Sequence, residues 1–510
     1  MRGHRSWLLA AALLAVLLVP TSAGASITGR VRVNPHPSTG AFAAPSAPTV
    51  GHAAENPFAP VVGASWAGLS DPTVAPPDTN GAIGPSNYVE IINLQIGIYT
   101  RTGVLINQTP LGVLTGHSQF NLSDPMVLWD PTTQRFYYNV WDTAQATMVF
   151  GFSKTSSPAS PADFCSYTKS FGYASSEAPD YPKLGQSTNF LLIGVNHYAN
   201  FSAQSSDRSD LLWISKPKGS APVTTCPAAS TFNSGRFANL RNSDGTQAFT
   251  PVPAIEADSL GNGYVVASSD IECPPICGSG NLVTVYTIRQ SSPGVATIYN
   301  AKSITVPSYS PPPGGAPQQG TSNRLDTLDG RLEHAVAAVN PAVGHPVIWT
   351  GHTIASGTKT VFRWYEISPL QIGSPTVVAS GTVSDPSLWV FNGAISPDRA
   401  VPSPGAPDRP ATPSTFGDSY VVGFTTSSSS TLAADQMVSS VSGAAQSPFV
   451  MVHQSTSADT DFTCSPTCRW GDYGGATPDP AATGPHGEVW MTNEAVTLGN
   501  NTTWNWEAKP

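Results

Sequence analysis

Seven positions with a common spacing carry most of the side chains that could do chemistry in this chain. Each stands six residues before a predicted tight turn between two strands, and six of the seven are polar. The seven are Asp78, Asp124, Asp180, Val252, His334, Asn392 and Asp472. Carboxylates that share one site repel one another unless a cation, a proton or hydrogen-bond donors compensate, and functional sites are often built this way. We therefore expect these positions to form a site if the fold brings them together.

A recurring sequence pattern predicts how the fold would do so. Seven times a turn-rich stretch is followed by a short run of aromatic and β-branched residues. These runs cover residues 88–92, 136–140, 190–195, 264–267, 347–349, 420–424 and 489–491. Repeats of this length indicate four-stranded sheets arranged radially, with loops of unequal length between them. The pattern predicts an all-β chain folded as a β-propeller of seven blades, although the two longest intervals leave room for one further sheet.

The end of the chain indicates how the ring closes. Only three strands can be traced in the last repeat, so its outer strand has to come from elsewhere. Residues 64–68, Ala-Ser-Trp-Ala-Gly, precede the first inner strand and form a short segment that can supply it. Closure of this kind removes exposed sheet edges. We predict that an N-terminal strand completes the last blade.

The N-terminal region predicts export. Residues 1–25 contain Arg2 and Arg5, an apolar run from Trp7 to Leu18 and an Ala-Gly-Ala cleavage site, which are the features of a signal peptide. Residues 26–61 are rich in Pro, Ala, Gly and Ser and are interpreted as a linker, and residues 62–510 as the propeller. The sequence contains no second apolar run long enough to span a membrane. We expect a protein that is secreted or held at the outer cell surface.

The charge balance excludes one class of partner. The formal net charge is −9, and removal of the signal peptide with its two arginines takes it to −11. Lys and Arg do not cluster anywhere along the chain, whereas binding to nucleic acid requires several cations that neutralise phosphates. We therefore do not expect a nucleic-acid partner.

Six cysteines in an exported chain predict three disulfides. Cys273 and Cys277 form one close pair, Cys464 and Cys468 form another, and Cys165 and Cys226 remain to pair with each other. The alternative is a zinc site made by the two close pairs. Both close pairs border the mouth of the predicted channel, where a disulfide would fix the shape of a loop.

The predicted ring places Asp472, Asp78, Asp124 and Asp180 on consecutive blades, as an acidic arc at one mouth of the channel. A binding site there would use the polar and aromatic side chains of that mouth. These are Asp124, Asp180, Tyr181, His334, Asn392, Trp470 and Tyr473. The ligand class that we favour is an extracellular carbohydrate, and the aspartates could also bind Ca²⁺, although no cofactor is required.

The same mouth could also be catalytic. Glycoside hydrolysis needs two carboxyl groups on either side of the scissile bond. Glu494 would be the acid, and Asp472 or Asp78 the base or nucleophile. The motifs of serine hydrolases with a nucleophile elbow, of zincins and of nucleotide-binding folds do not occur. The sequence leaves carbohydrate binding and glycoside hydrolysis as the two open functions.

Five segments resemble a group of largely uncharacterised exported bacterial propeller proteins of sialidase-like architecture. They are residues 76–85, 180–185, 325–332, 363–366 and 469–473. The resemblance implies the fold and framework over residues 64–510 but no assigned chemistry. The Asp-box of true sialidases, S-x-D-x-G-x-x-W, is missing, and the resemblance therefore does not imply sialidase activity.

Overall fold

The computed structural model describes residues 59–271, 278–369, 373–401 and 416–510. The predicted signal peptide, nearly all of the linker and the predicted Cys273–Cys277 disulfide lie outside these residues. The described residues form short strands joined by turns, with very little helix.

The strands of the first half, in chain order, are β1 (Val61–Ala67), β2 (Asn80–Ile83), β3 (Asn87–Ile92), β4 (Gln95–Thr100), β5 (Leu105–Pro110), β6 (Leu122–Asp130), β7 (Arg135–Asp142), β8 (Thr147–Ser153), β9 (Phe164–Lys169), β10 (Ala178–Gln186), β11 (Phe190–Tyr198), β12 (Arg208–Ser215), β13 (Ser234–Phe237), β14 (Ala248–Pro253), β15 (Ile255–Glu256) and β16 (Gly263–Ser269). Those of the second half are β17 (Gly280–Ser292), β18 (Val295–Tyr309), β19 (Ala316–Pro317), β20 (Arg324–Leu325), β21 (His334–Asn340), β22 (His345–Ser356), β23 (Lys359–Ser368), β24 (Thr376–Val383), β25 (Trp389–Pro397), β26 (Tyr420–Ser428), β27 (Thr431–Ser440), β28 (Val450–Gln454), β29 (Thr467–Cys468), β30 (Gly475–Pro478), β31 (Val489–Thr497) and β32 (Asn500–Lys509). The helical elements are α1 (Leu111–Thr115) and three 3₁₀ turns, Gln119–Asn121, Pro161–Asp163 and Ala229–Thr231.

Seven larger sheets and one small sheet are present among the described residues. Six of the larger sheets have four strands and one has five, and strands that follow one another in sequence are mostly neighbours in the sheet. The inner strands, one from each larger sheet, contact each other in a closed ring in the order β30, β2, β6, β10, β14, β21, β25 and back to β30. The predicted all-β propeller is confirmed.

The ring is closed by the N-terminal strand. β1 pairs antiparallel with β32, so the last sheet has the order β1, β32, β31, β30. Trp66 of β1 packs edge-on against Tyr88 at 5.4 Å between ring centroids and lies 5.7 Å from Trp490. The closing strand is therefore joined both to the last sheet, through β32 and Trp490, and to the first, through Tyr88.

Burial explains why inner and outer strands differ in sequence. The inner strand β6 is buried at all nine positions, and the neighbouring β7 is buried at all eight. Strands covered on both faces need apolar or hydrogen-bonded side chains throughout, so they show no alternation. The outer strand β24 alternates between exposed and half-buried residues along almost its whole length. The apolar runs in the sequence mark the covered second strands.

A kink recurs at the start of the inner strands. Six non-glycine residues there have a left-handed backbone conformation, with φ between 47° and 57°: Asp78, Asp124, Tyr181, Thr250, Asn392 and Asp472. In β6, β10, β14 and β25 the kink coincides with a β-bulge, where the register with the second strand shifts. Asp and Asn tolerate this conformation better than most residues. The common spacing found in the sequence is therefore a backbone feature of the repeat.

The position of the kink shows that two of the seven positions aligned by sequence spacing are offset. In the third sheet the kinked residue is Tyr181, one place after Asp180, and in the fourth it is Thr250, two places before Val252. A fixed interval of six residues could not anticipate these offsets, because the length of the inner strand after the bulge differs between sheets.

Two of the predicted disulfides lie within the described residues. Cys165 and Cys226 are bonded across a separation of 61 residues, and Cys464 and Cys468 across four. The first ties β9, the outer strand of the second sheet, to the loop that follows β12. Among the described residues, no helix has the length and apolar character needed to cross a bilayer.

Candidate functional site

The acidic arc comes together at one end of the ring. Asp78, Asp124, Asp180 and Asp472 are each at most 2 % exposed. Burial raises the pKa of Asp78 well above its ordinary value, and the carboxylates of Asp124 and Asp472 raise it further. Burial, with the neighbouring Asp180, raises the pKa of Asp124 to about 7. The four carboxyl groups therefore lie close enough to interact strongly.

Cations from other segments compensate part of this charge. Arg469 forms an ion pair with Asp472 and retains 17 % side-chain exposure. Burial alone would lower the pKa of Arg469, but the nearby carboxylates outweigh it and raise the pKa above its usual range. Asp472 has the largest effect, followed by Asp326, Asp78 and Asp180. Arg331 pairs with Asp329 through Nε at 2.7 Å. We call these ten residues the axial cluster: Asp78, Asp124, Asp180, Lys183, Asp326, Asp329, Arg331, Glu333, Arg469 and Asp472.

Lys183 fills the centre of the axial cluster. Its ammonium lies 4.0 Å from the centroid of the Tyr181 ring and 3.7 Å from that of Tyr473, and it donates to the Asp472 carbonyl at 3.2 Å. Burial lowers the pKa of Lys183 to about 7, although Glu333 and Asp472 act in the opposite direction. The two aromatic rings replace part of the water that an ammonium group loses on burial. The centre of the ring at this end is thus filled by side chains.

Both tyrosine hydroxyls bond across the axis. Tyr473 donates to the Asp124 carboxylate at 3.0 Å, and Tyr181 donates to the Asp472 carbonyl at 2.5 Å. Their rings lie 5.0 Å apart and are at most 1 % exposed. The two tyrosines therefore link the second, third and seventh sheets, and their predicted contact with a ligand stays a prediction.

A cap covers this mouth, which the sequence analysis took to be open. We define the cap as residues 310–333 and 455–474, the segments that lead into β21 and β30. They are joined by the small sheet of β19, β20 and β29, in which Leu325 pairs with Cys468. Trp470 is 1 % exposed and packs in an apolar group with Trp389, so the structure places it in the interior of the cap. Arg469, Asp326 and Asp329 are half-buried in the cap, and the Arg469 side chain retains 17 % exposure.

The remaining predicted ligand-binding residues bond to the protein itself. His334 Nε2 bonds to the Ala476 carbonyl across the ring at 2.7 Å, and burial lowers the pKa of this histidine to about 4. Asn392 donates to Asn493 Oδ1 at 2.6 Å, and Asn493 donates back to the Asn392 carbonyl at 3.0 Å. The first contact joins the fifth and seventh sheets, and the second joins the neighbouring sixth and seventh sheets.

The ends of the second strands also form links between sheets. Asn93 Oδ1 accepts from the Asp124 backbone N–H at 2.9 Å, and Asn196 Oδ1 accepts from that of Thr250 at the same distance. In both cases the donor is the kinked residue of the next inner strand. These bonds stabilise the left-handed conformation that the kink requires.

Glu494 lies beside Asp472 under the cap. Its Oε2 accepts from the Gly471 backbone N–H at 2.5 Å, and its other carboxyl oxygen has no partner among the described residues. Burial raises the pKa of Glu494 well above its usual value, while Asp472 is paired with Arg469. A carboxyl group with a raised pKa next to a paired carboxylate is an arrangement that acid–base chemistry can use.

Sequence reasoning missed Lys183 and Glu333 of the axial cluster. Lys183 and Glu333 each come from a buried strand or its edge, and no motif distinguishes them. Glu333 accepts from the backbone N–H groups of Thr353 at 2.6 Å and Gly393 at 2.8 Å, and burial raises its pKa to about 7. The one available signal was the predicted clustering of carboxylates, because such a cluster needs cations nearby to compensate its charge.

Metal binding by the arc stays a prediction. Within the described part of the chain, two groups of three residues place possible metal-ligand atoms within 4.8 Å of one another. One group is Asp459, Cys464 and Cys468, and the other is Asp479, Glu488 and Glu507. The two cysteines of the first group are bonded to each other and cannot act as thiolate ligands. Neither group includes a residue of the arc.

Comparisons with known proteins add no chemistry. No protein-family model matches the chain, and no curated protein does. Among solved structures, a Synechocystis apocarotenoid oxygenase variant matches with 11 % identity and a TM-score of 0.37, over 74 % of this chain and 72 % of that one. The Nup133 β-propeller domain of Vanderwaltozyma polyspora matches with 8 % identity and a TM-score of 0.33, over 82 % and 91 %. A GH43_12 protein retrieved from a capybara gut metagenome matches with 9 % identity and a TM-score of 0.25, over 78 % and 92 %. Likenesses this low carry no argument about function.

Proposed function

We propose that this protein is exported and binds an extracellular carbohydrate on the cap, above the axial cluster. The observation that carries the proposal is the convergence of carboxylates from several sheets on Arg469, a half-buried cap residue that forms an ion pair with Asp472 of the buried arc. Structural frameworks rarely gather so many carboxyl groups, because each unpaired one destabilises the fold.

The exposed part of the cap carries groups suited to sugar hydroxyls. Arg469 offers several donors, and the half-buried Asp326 and Asp329 offer acceptors. Phe462, in the same cap segment, is 39 % exposed and presents an apolar face. Planar polar groups beside an aromatic face suit a pyranose ring, whose edge carries hydroxyls and whose faces are apolar.

The disulfide supports a role for the cap in recognition. Cys464 and Cys468 enclose only three residues, and Cys468 directly precedes Arg469. A loop closed over so few residues adds less to global stability than the longer Cys165–Cys226 loop, because less chain entropy is removed from the unfolded state. Its effect is to hold the local shape that aims Arg469, and it suits a protein that works outside the cytoplasm.

Glycoside hydrolysis at the same mouth is the second candidate, with Glu494 as acid and Asp472 or Asp78 as base or nucleophile. The observation that favours it is the Glu494 carboxyl, whose pKa burial raises, beside the paired Asp472. Both residues are 1 % exposed, so hydrolysis requires the cap to open, whereas binding on the cap does not.

A glycan array with a polysaccharide-release screen separates the two functions. Wild type is compared with Asp472→Asn, and with Asp244→Asn as a control in an exposed loop. We expect binding to at least one glycan and no released sugar, with binding reduced in Asp472→Asn only. Release by wild type that Asp472→Asn loses would establish the hydrolase instead. Absence of both binding and release for correctly folded protein would reject both proposals.

A further inference from the structure

A histidine at the outer side of the second sheet bonds a carboxylate on one side of its ring and a hydroxyl on the other. His117 Nδ1 lies 2.6 Å from Asp142 Oδ2, and its Nε2 lies 2.7 Å from Thr168 Oγ1. His334 and His352, by contrast, each bond a backbone carbonyl. A hydroxyl, an imidazole and a carboxylate in this order are the groups of a nucleophile, its base and the residue that orients the base.

Three segments that are separate in sequence bring these groups together. Asp142 is the last residue of β7, Thr168 lies on β9, and His117 lies in the turn after α1. The Cys165–Cys226 disulfide begins three residues before Thr168. The strand that carries the hydroxyl is therefore held covalently as well as by its pairing with β8.

The turn that carries His117 is held as well. Gln119 Oε1 accepts from the Gly112 backbone N–H at 2.5 Å, which folds the turn back on α1. The Asn121 carbonyl accepts from the Thr143 backbone N–H at 2.8 Å, which joins the turn to the end of β7. The imidazole therefore keeps its position relative to the carboxylate at the end of that strand.

The hydrogen bonds of Asp142 assign the proton on the imidazole. Its Oδ1 accepts from the backbone N–H groups of Ala144 at 3.0 Å and Gln145 at 3.2 Å, and its Oδ2 faces His117. A carboxylate only accepts, so the proton of a neutral imidazole lies on Nδ1. Nε2 then accepts from the Thr168 hydroxyl. An imidazole in this tautomer can act as a general base towards that hydroxyl.

The hydroxyl can be reached from solvent. Thr168 is exposed and the His117 side chain retains 14 % exposure, whereas that of Asp142 retains 1 %. A substrate can therefore meet the hydroxyl without any opening of the cap. α1 and the turn after it also carry two exposed apolar side chains, Val113 at 68 % and Phe120 at 64 %. Exposed apolar side chains beside the hydroxyl favour a substrate with a hydrocarbon part.

We propose that Thr168 accepts the acyl group of an ester of an apolar carboxylic acid, with His117 as its base and Asp142 as a positioning residue. Thr168 Oγ1 forms a bond to the carbonyl carbon while its proton passes to His117 Nε2. The tetrahedral intermediate expels the alcohol, which takes that proton and leaves Thr168 acylated. Water then attacks the acyl group by the same route, releases the acid and restores the hydroxyl. The three residues lie outside the cap and the axial cluster, so this activity is independent of the function proposed there.

Activated esters test the acylation of Thr168. Wild type is incubated with p-nitrophenyl acetate and p-nitrophenyl butyrate, release of p-nitrophenolate is followed by absorbance, and the acylated position is located by peptide mass spectrometry. Thr168→Val keeps the shape of the side chain and removes the hydroxyl, and Thr168→Ser keeps the hydroxyl. Thr246→Val is the control, because that exposed hydroxyl bonds Asp244 and no histidine. We expect acylation at position 168 in wild type, Thr168→Ser and Thr246→Val, and none there in Thr168→Val.

Two further variants test the roles of the base and of the positioning residue. His117→Phe should slow acylation of Thr168 by about a hundredfold or more, the usual contribution of a general base. In Asp142→Asn the amide can donate to Nδ1, which moves the ring proton to Nε2 and should slow acylation by about tenfold or more. Nitrogen-15 NMR of the His117 ring reports the tautomer in both proteins. A histidine that only supports the fold would not couple its tautomer to the rate of acylation.

The proposal is overturned if position 168 of wild type is not acylated, or if folded His117→Phe acylates it at the wild-type rate. It is also overturned if the NMR spectra place the ring proton of neutral His117 on Nε2 in wild type. Thr168→Val and Thr168→Ser leave the bond between His117 and Asp142 intact, so the comparison of these two variants does not depend on whether His117→Phe folds.

Discussion

Replacing Asp124 by asparagine should make the protein more stable at neutral and alkaline pH. Asp124 is 1 % exposed, and burial together with Asp180 raises its pKa from 3.8 to about 7. Asparagine has almost the same shape, and it can still accept from the Ser123 hydroxyl, which bonds Asp124 at 2.5 Å. The Tyr473 hydroxyl, now a donor to Asp124 at 3.0 Å, can accept from the new amide instead.

The sign follows from the two protonation states. In the unfolded chain Asp124 ionises near its ordinary pKa, whereas in the folded protein it keeps its proton until about pH 7. Its contribution to stability is complete below pH 3.8 and is lost as pH rises through the folded value. Between pH 5 and pH 8 wild type should lose about 3 kcal/mol through this group, at about 1.4 kcal/mol per pKa unit. The asparagine variant does not have this loss.

Urea unfolding followed by tryptophan fluorescence between pH 5 and pH 8 measures the difference. The variant should gain stability relative to wild type as pH rises, by about 3 kcal/mol across this range. Asp244→Asn is the control: bonds from Thr246 lower the pKa of that exposed aspartate below 3.8, so it stays ionised in both states between pH 5 and pH 8, and its replacement should give no pH-dependent difference there. A difference that does not change with pH, or a variant that becomes relatively less stable as pH rises, would refute the close approach of the arc carboxylates.

Three further predictions concern the framework. Trp66→Ala should lower the free energy of unfolding by about 3 to 5 kcal/mol, measured by urea unfolding, because the ring joins the first and last sheets, and an unchanged midpoint would contradict the closure role. Replacing Cys165 and Cys226 by serine should lower the free energy of unfolding by about 4 kcal/mol, and replacing Cys464 and Cys468 by about 2 kcal/mol, because the first disulfide closes a much longer loop. Only the second replacement should weaken glycan binding. Asn196→Ala should cost about 2 to 3 kcal/mol in the same assay, because the Thr250 N–H then loses its partner, and a cost below 0.5 kcal/mol would show that the kink holds without it.

The sequence predicted the architecture because the repeat signals are local. Strand runs, turns and the segment around Trp66 follow from short-range periodicity, and ring closure follows from the chain having one outer strand too few in its last repeat. The positions of Asp78, Asp124 and Asp472 were predictable because the kink at each inner strand favours residues that tolerate a left-handed backbone.

The rest depends on contacts between distant segments. The cap is built from residues 310–333 and 455–474, and the strands that pair them, β20 and β29, are only two residues long each. Lys183 is indistinguishable in sequence from a surface lysine, and it becomes central because Tyr181 and Tyr473 meet across the axis. The contacts of His117 with Asp142 and Thr168 likewise join three separate segments, and no spacing along the chain reveals them.

Binding of a glycan by Arg469→Gln tests the central claim most directly. Titration calorimetry would compare this variant with wild type on any glycan found by the array, after the folded state and the Cys464–Cys468 disulfide have been verified for both. Loss of affinity by tenfold or more, with the enthalpy reduced, is the result expected if the guanidinium receives the ligand on the cap. Equal affinity in the two proteins would contradict recognition at this end of the ring.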